Sequence, residues 1–195
     1  MPKKMKISKS QFSEIDKAYI AGFLDADGSI NAQIVPRKDY KLKYQIRVSV
    51  SFYQKTKHHW FLVWLFKKCG CGSLRKRKDG MSEYSIVAKE AVGSLLKELE
   101  PMVRIKKPQL KLVLQIIKEL PQAKDPQAFI TLCESVDRFE QFNYSKKRKI
   151  KSETVRSTLL LTDLHNVPVE TVQHFQVLLN DPDQSGQDNT PTLKT

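Results

Sequence analysis

Two carboxylates set one residue apart, Asp25 and Asp27, close the segment Ile20-Ala21-Gly22-Phe23-Leu24-Asp25-Ala26-Asp27-Gly28. Carboxylates beside free helix-end carbonyls are good ligands for a hard divalent cation such as Mg²⁺. Their setting is unusual. Ser13 followed by Asp16 reads as a capping-box start and Gly28 as a stop, so the spacing predicts a helix to about Ala26. Both acids then fall at its last turn, where the helix dipole disfavours negative charge. Ala21, Gly22, Phe23 and Leu24 are apolar or small, so the acids stand at the edge of a core. Local rules broken together are expected at functional sites. On the same helix Ala18, Gly22 and Ala26 recur every four residues and leave one face without bulk. Such a stripe lets another helix backbone approach closely, from inside the chain or from a second copy.

The elements that must position these acids follow from the alternation after Gly28. Ile30, Ala32 and Ile34 interleave with Asn31, Gln33 and Val35, and Pro36-Arg37-Lys38-Asp39 marks a turn. Residues 41–52 alternate without a break and predict a half-buried strand. Thr56 is expected to cap a helix ending near Cys69-Gly70. Residues 73–78 and 83–88 predict a second hairpin around Asp79-Gly80. Further helices are predicted over 90–100, from 107 or 108 to 120, over about 126–142 and over 152–161. The order α-β-β-α-β-β-α with a helical tail predicts an α+β domain, its antiparallel sheet covered by helices on one face.

The other face of that sheet is chemically biased. It carries Asn31, Gln33, Arg37, Gln45, Arg47, Arg75, Arg77, Glu83 and Ser85. Asn, Gln and Arg are the side chains that make two-pronged contacts with purine edges in the major groove. Lys41 and Lys43, of the same parity, suit phosphates. Lys146, Lys147, Arg148, Lys149 and Lys151 form a second basic cluster, a phosphate clamp or a solvated loop.

Composition points the same way. The 195 residues hold 34 Lys+Arg against 21 Asp+Glu, a net charge of +13. The last 32 residues hold four acids and one base, so residues 1–163 carry +16. A chain this basic suggests a polyanionic partner, nucleic acid before membrane. No apolar run is long enough for a transmembrane helix, and the basic stretch at residues 1–10 lacks the apolar core of a secretory signal. Three cysteines exclude a disulfide-built scaffold, and Cys69, Cys71 and Cys133 lack the paired spacing of a zinc site. The expected organisation is a flexible N-terminus at 1–12, a domain at 13–163 and an acidic, polar, partly disordered tail at 164–195.

Ile20 to Gly28 closely resembles the nine-residue motif of the LAGLIDADG homing endonucleases. The resemblance extends through Gly28-Ser29-Ile30, Ala32-Gln33-Ile34, Pro36, Tyr40, Gln54-Lys55-Thr56, Trp60-Phe61-Leu62, Glu98-Leu99, Pro101, Ile105-Lys106-Lys107 and Ser152-Glu153-Thr154-Val155-Arg156. It covers roughly residues 13–160 and is similar to the single-motif subgroup encoded in organellar ribosomal-RNA introns. The resemblance implies an αββαββα fold with extra C-terminal helices, a DNA-binding saddle, and a homodimer packed through Ala18, Gly22, Asp25 and Ala26. It implies that Asp27 binds the metal with the Ala26 carbonyl, and that Gln54, Lys106 and His58 form the catalytic periphery. The subgroup usually has Arg or Lys where this chain has His58. Val35, Asp39 and Tyr40 join the DNA-facing set by the same resemblance. The implied activity is Mg²⁺-dependent double-strand cleavage of a long pseudo-palindromic DNA site, leaving short 3′ overhangs and promoting intron mobility. Mn²⁺ or Ca²⁺ could substitute for binding. The implied compartment is a chloroplast or mitochondrion; no membrane partner and no small-molecule substrate are expected.

Two other readings fit the same fold: a group I intron maturase that binds RNA, and a DNA-binding regulator with no cleavage activity. Asp27, Gln54 and Lys106 argue for cleavage, because splicing alone has no need of the acid.

Overall fold

The computed structural model describes residues 12–142 and 149–165. Residues 1–159 form one unit and residues 160–195 a second; in the second, the described residues 160–165 are helical. The order is α1 (Glu14–Asp27), β1 (Gly28–Pro36), β2 (Tyr44–Lys55), a 3₁₀ turn (Thr56–His58), α2 (His59–Cys69), β3 (Ser73–Lys76) and β4 (Met81–Ile86). It continues with α3 (Lys89–Leu99), α4 (Lys107–Glu119), α5 (Pro126–Asp137), a second 3₁₀ turn (Arg138–Gln141) and α6 (Ser152–His165). No described helix is long and apolar enough to cross a membrane.

Helix α1 starts with the predicted capping box. The Asp16 N–H donates to Ser13 Oγ at 3.1 Å and the Ser13 N–H to Asp16 Oδ2 at 3.3 Å, satisfying two donors of the first turn. Asp16 also receives Lys68 Nζ from α2 at 2.9 Å, a bond that holds its carboxyl below the usual range. At the other end the Gly28 N–H donates to Leu24 O. Gly28 stops the helix in an extended conformation, not a left-handed one. Glycine is needed there for close approach: a Cβ would lie 2.6 Å from Leu24 Cδ1 and 2.7 Å from Leu24 O.

The four strands form one antiparallel sheet in the order β1-β2-β4-β3. Strand β2 begins at Tyr44, not at residue 41, because β1 ends at Pro36, which pairs with Tyr44. Residues 37–43 instead form a hydrogen-bonded loop, closed by the Arg37 N–H on Lys43 O at 2.7 Å, with Lys43 in the left-handed region (φ 58°). Lys41 and Lys43 therefore belong to the loop, Lys43 at its base, and not to the strand face. The second hairpin leaves β3 and enters β4 two residues earlier than its alternation predicts, with β3 ending at Lys76 and β4 starting at Met81. It turns at Gly80 (φ 78°), so Arg77 lies beyond β3. Helix α5 stops at Asp137, where a 3₁₀ turn replaces the rest of the predicted helix; the Asp137 carboxylate accepts the Ser152 N–H at 2.9 Å and so caps α6.

One face of the sheet is core. Ile30, Ala32 and Ile34 of β1, Ile46, Val48, Val50 and Phe52 of β2, and Tyr84 and Ile86 of β4 are buried with Ile20, Ala21 and Leu24 of α1. Each fully buried large side chain contributes about 1.5–3 kcal/mol. Phe23 of α1 stacks on Phe52 (5.9 Å), which stacks on Tyr84 (6.0 Å), so an aromatic rib ties α1 across β2 to β4. That rib fixes where the end of α1 meets the sheet, and hence where its acids stand.

Candidate active site and nucleic-acid interface

The two acids of the motif have different fates. Asp25 is spent on structure. Its carboxylate accepts the Arg104 N–H at 2.7 Å and the Lys106 N–H at 2.9 Å, and its main-chain carbonyl accepts the Lys106 ammonium. Burial pushes its carboxyl up, but the backbone N–H groups of Lys106, Arg104 and Ile105 and the Lys106 charge outweigh burial and hold it below the usual range. The loop before α4 is thereby fastened to the end of α1, and the Lys106 ammonium also neutralises an orphan helix-end carbonyl. Burial draws Lys106 down from the ordinary lysine value, while Asp25 and Asp27 push it back up.

Asp27 is exposed and its carboxylate joins no hydrogen bond or ion pair among the described residues, with Lys106 as the nearby charge that feels it. Its oxygens and the exposed Ala26 fit a hard cation as part of a ligand set. They do not fit as a whole cage. Among the described residues no three His, Cys, Asp or Glu converge within one chain. Gln54 lies two residues past the Gly28–Phe52 pair, at the same end of the sheet, and its Oε1 accepts the Lys55 N–H at 3.0 Å. His58 is exposed at the start of α2, and its side chain makes no capping bond. Its neighbour His59 is also expected from the sequence in a solvated first turn, but it is only half exposed and contacts buried Ser82 at 3.0 Å, a partner that only the β2–β4 register brings near.

The uncovered face of the sheet gathers the predicted readers. Gln33 pairs with Arg47, Val35 with Gln45, Asn31 with Ser49 and Arg75 with Glu83 across adjacent strands. Ser29, Ser51, Ser85 and Ser73 stand in register across all four strands, and Ser51 Oγ and Ser85 Oγ are 2.8 Å apart. Each arginine has a partner. Arg37 sends Nε and Nη2 to Asp39 (2.9 and 2.7 Å) and Nη1 to Gln45 (3.2 Å), over the Tyr40 ring at 4.6 Å. That fork holds the Asp39 carboxyl down at about 2. Arg75 donates twice to Glu83, and Arg77 pairs with Asp79 at 2.7 Å. Lys149 is exposed, and Lys151 pairs with Glu140 at 3.0 Å. Lys146, Lys147 and Arg148 lie outside the described residues.

The small-residue stripe of α1 points away from the chain. Ala18, Gly22 and Ala26 are exposed, and a Cβ on Gly22 would meet nothing within 4 Å. Ile15 (83% exposed) and Tyr19 (59%) extend the stripe with apolar bulk. Packing inside the chain does not explain it. The cysteines take no part: Cys133 is buried, and burial pushes its thiol up to about 12 and that of Cys69 to about 11.

The sequence profile of the LAGLIDADG endonucleases matches residues 20–107. The DNA endonuclease I-CvuI of Chlorella vulgaris is 48% identical over 142 residues, spanning 73% of this chain and 88% of that protein. The DNA endonuclease I-CreI of Chlamydomonas reinhardtii is 42% identical over 142 residues, spanning 72% and 86%. The crystal structure of I-CvuI with the I-CreI target in 2 mM Mg, its DNA not cleaved, has a TM-score of 0.72 at 45% identity, covering 79% of this chain and 97% of that one. I-CvuI with its own target in 2 mM Ca gives 0.71 at 46% identity, covering 78% and 96%.

Proposed function

Because the chain belongs to the LAGLIDADG endonuclease family, we propose that two copies of it, joined through α1, form a site-specific homing endonuclease acting on double-stranded DNA. The observation that carries this reading lies on α1 itself. One helix exposes a stripe without bulk, Ala18, Gly22 and Ala26, and ends in the uncommitted carboxylate of Asp27. Pairing two such helices brings two Asp27 side chains to one axis, beneath two saddle faces rich in Gln and Arg. Two cleavage centres related by a two-fold axis suit a long pseudo-palindromic site and a double-strand break with short 3′ overhangs, the event that promotes intron mobility.

Asp27 from each copy, with the Ala26 carbonyl, would hold the divalent ion, Mg²⁺ in our reading; the relative I-CvuI, crystallised with DNA in Mg and in Ca, supports divalent-ion use. When bound, such an ion supplies charge neutralisation at the scissile phosphate and a more acidic water. Lys106, braced by Asp25, offers a fixed positive charge toward developing negative charge. Gln54 orders solvent beside it, and His58 at the rim of α2 contributes a donor to phosphate. Asn31, Gln33, Val35, Arg37, Asp39, Tyr40, Gln45, Arg47, Arg75, Arg77, Glu83 and Ser85 form the base-facing surface. Lys41 and Lys43 in the β1–β2 loop, with the cluster Lys146, Lys147, Arg148, Lys149 and Lys151, grip backbone. Relatives from Chlorella and Chlamydomonas support an organellar setting, chloroplast or mitochondrion.

The test uses a plasmid carrying the intact intron-insertion site. Wild-type protein with Mg²⁺ should cut it, and Asp27→Asn should bind the site without cutting. Cutting by the variant overturns the role of Asp27; binding without cutting by wild type would favour a maturase or regulator.

A further inference from the structure

We propose that Arg47 sets the base preference of Gln33, turning a residue that could read adenine into a reader of guanine; this rests on the DNA-facing reading of the sheet. The two side chains stand directly opposite each other on β1 and β2. In the amide orientation that turns its oxygen toward Arg47, Gln33 Oε1 accepts from Arg47 Nη2 at 2.5 Å and from Nε at 3.0 Å. An amide oxygen has two lone pairs, so both are occupied. What the pair then presents to the groove is N–H groups alone: the Gln33 amide nitrogen and the unused guanidinium donors.

A free glutamine reads adenine by donating to N7 and accepting from the N6 amino group. Gln33 cannot supply the second bond while Arg47 holds its oxygen. Adenine's N6 amino and cytosine's N4 amino would face donors, and a buried donor with no acceptor is costly. Guanine offers N7 and O6, two acceptors and no donor, and matches the pair; thymine offers one acceptor. Gln45 shows the contrast. Its oxygen takes one bond from Arg37, at 3.2 Å, and keeps a lone pair free.

The test is a binding selection in Ca²⁺ on insertion-site variants carrying all four bases at each half-site position. Gln33→Ala should relax selectivity at one position, and wild type should prefer guanine there. Arg47→Ala should move that position toward adenine by roughly tenfold, within the range of one two-pronged base contact. A wild-type preference for adenine at that position, an unchanged preference in Arg47→Ala, or no position relaxed by Gln33→Ala overturns the proposal while leaving the endonuclease reading intact. Failure of wild type to select any DNA sequence would overturn both.

Discussion

Asp25 grips Lys106 from two directions, its carboxylate on the Lys106 N–H at 2.9 Å and its carbonyl on the Lys106 ammonium. The first acid of the motif is therefore a strut that fixes the lysine beside the second acid. Asp25→Ala leaves the N–H groups of Arg104 and Lys106 without their acceptor and should cost about 1–3 kcal/mol in chemical unfolding. Cleavage should fall more steeply than site binding, because Lys106 loses its frame. Equal losses of binding and cleavage would refute a positioning role.

The same contact has a pH signature. The folded Asp25 carboxyl sits below its ordinary value of 3.8, so its stabilisation is present above that value and is lost as pH falls through the lower folded value. The stability gap between wild type and Asp25→Asn should be widest near neutrality and close in acid. Urea unfolding across that range checks it.

Gly22→Leu separates folding from assembly. Nothing within 4 Å obstructs a side chain there, and replacing a helical glycine gains up to about 1 kcal/mol. The variant should fold at least as stably but sediment as a monomer and fail to cut DNA. A dimer surviving in analytical ultracentrifugation would remove α1 from the interface.

Gly28→Ala should behave in the opposite way. Its Cβ would collide with Leu24 Cδ1 and Leu24 O, so the end of α1 must shift, at a cost of about 1–3 kcal/mol. Thermal unfolding reads the loss. An unchanged midpoint would mean that the junction is looser than its contacts indicate.

Burial raises the thiols, to about 11 for Cys69 and about 12 for Cys133. At pH 7.5 little thiolate is present, so reaction with a disulfide reagent should be slow in the folded protein and reach all three cysteines once it is unfolded. Fast native labelling of Cys133 would contradict its placement in the core.

Much of this architecture is local and was legible in the chain. The capping box at Ser13, the alternation of Ile30 to Val35 and the turn at Asp79-Gly80 are short-range patterns, and each became the expected element. The start of β2 was not legible, because residues 41–43 alternate as well as any strand. Only the pairing of Pro36 with Tyr44 withdraws their ladder partner. The division of labour between Asp25 and Asp27 was equally hidden, since the groups that claim Asp25 come from residues 104–106, about eighty positions along the chain.

By itself the sequence determined which side chains alternate between the two faces within β1 and β2, where α1 begins and ends, and that one acidic motif closes a helix with a stripe lacking bulk. Those properties follow from periodicity, caps and side-chain volume, which act over a few residues. Only the tertiary structure decided that Asp27 keeps its oxygens free, that the stripe faces outward, and that each arginine on the saddle is held by a carboxylate or an amide. Those outcomes depend on strand register and on which distant backbone N–H groups arrive within hydrogen-bond reach, and neither is written in local pattern.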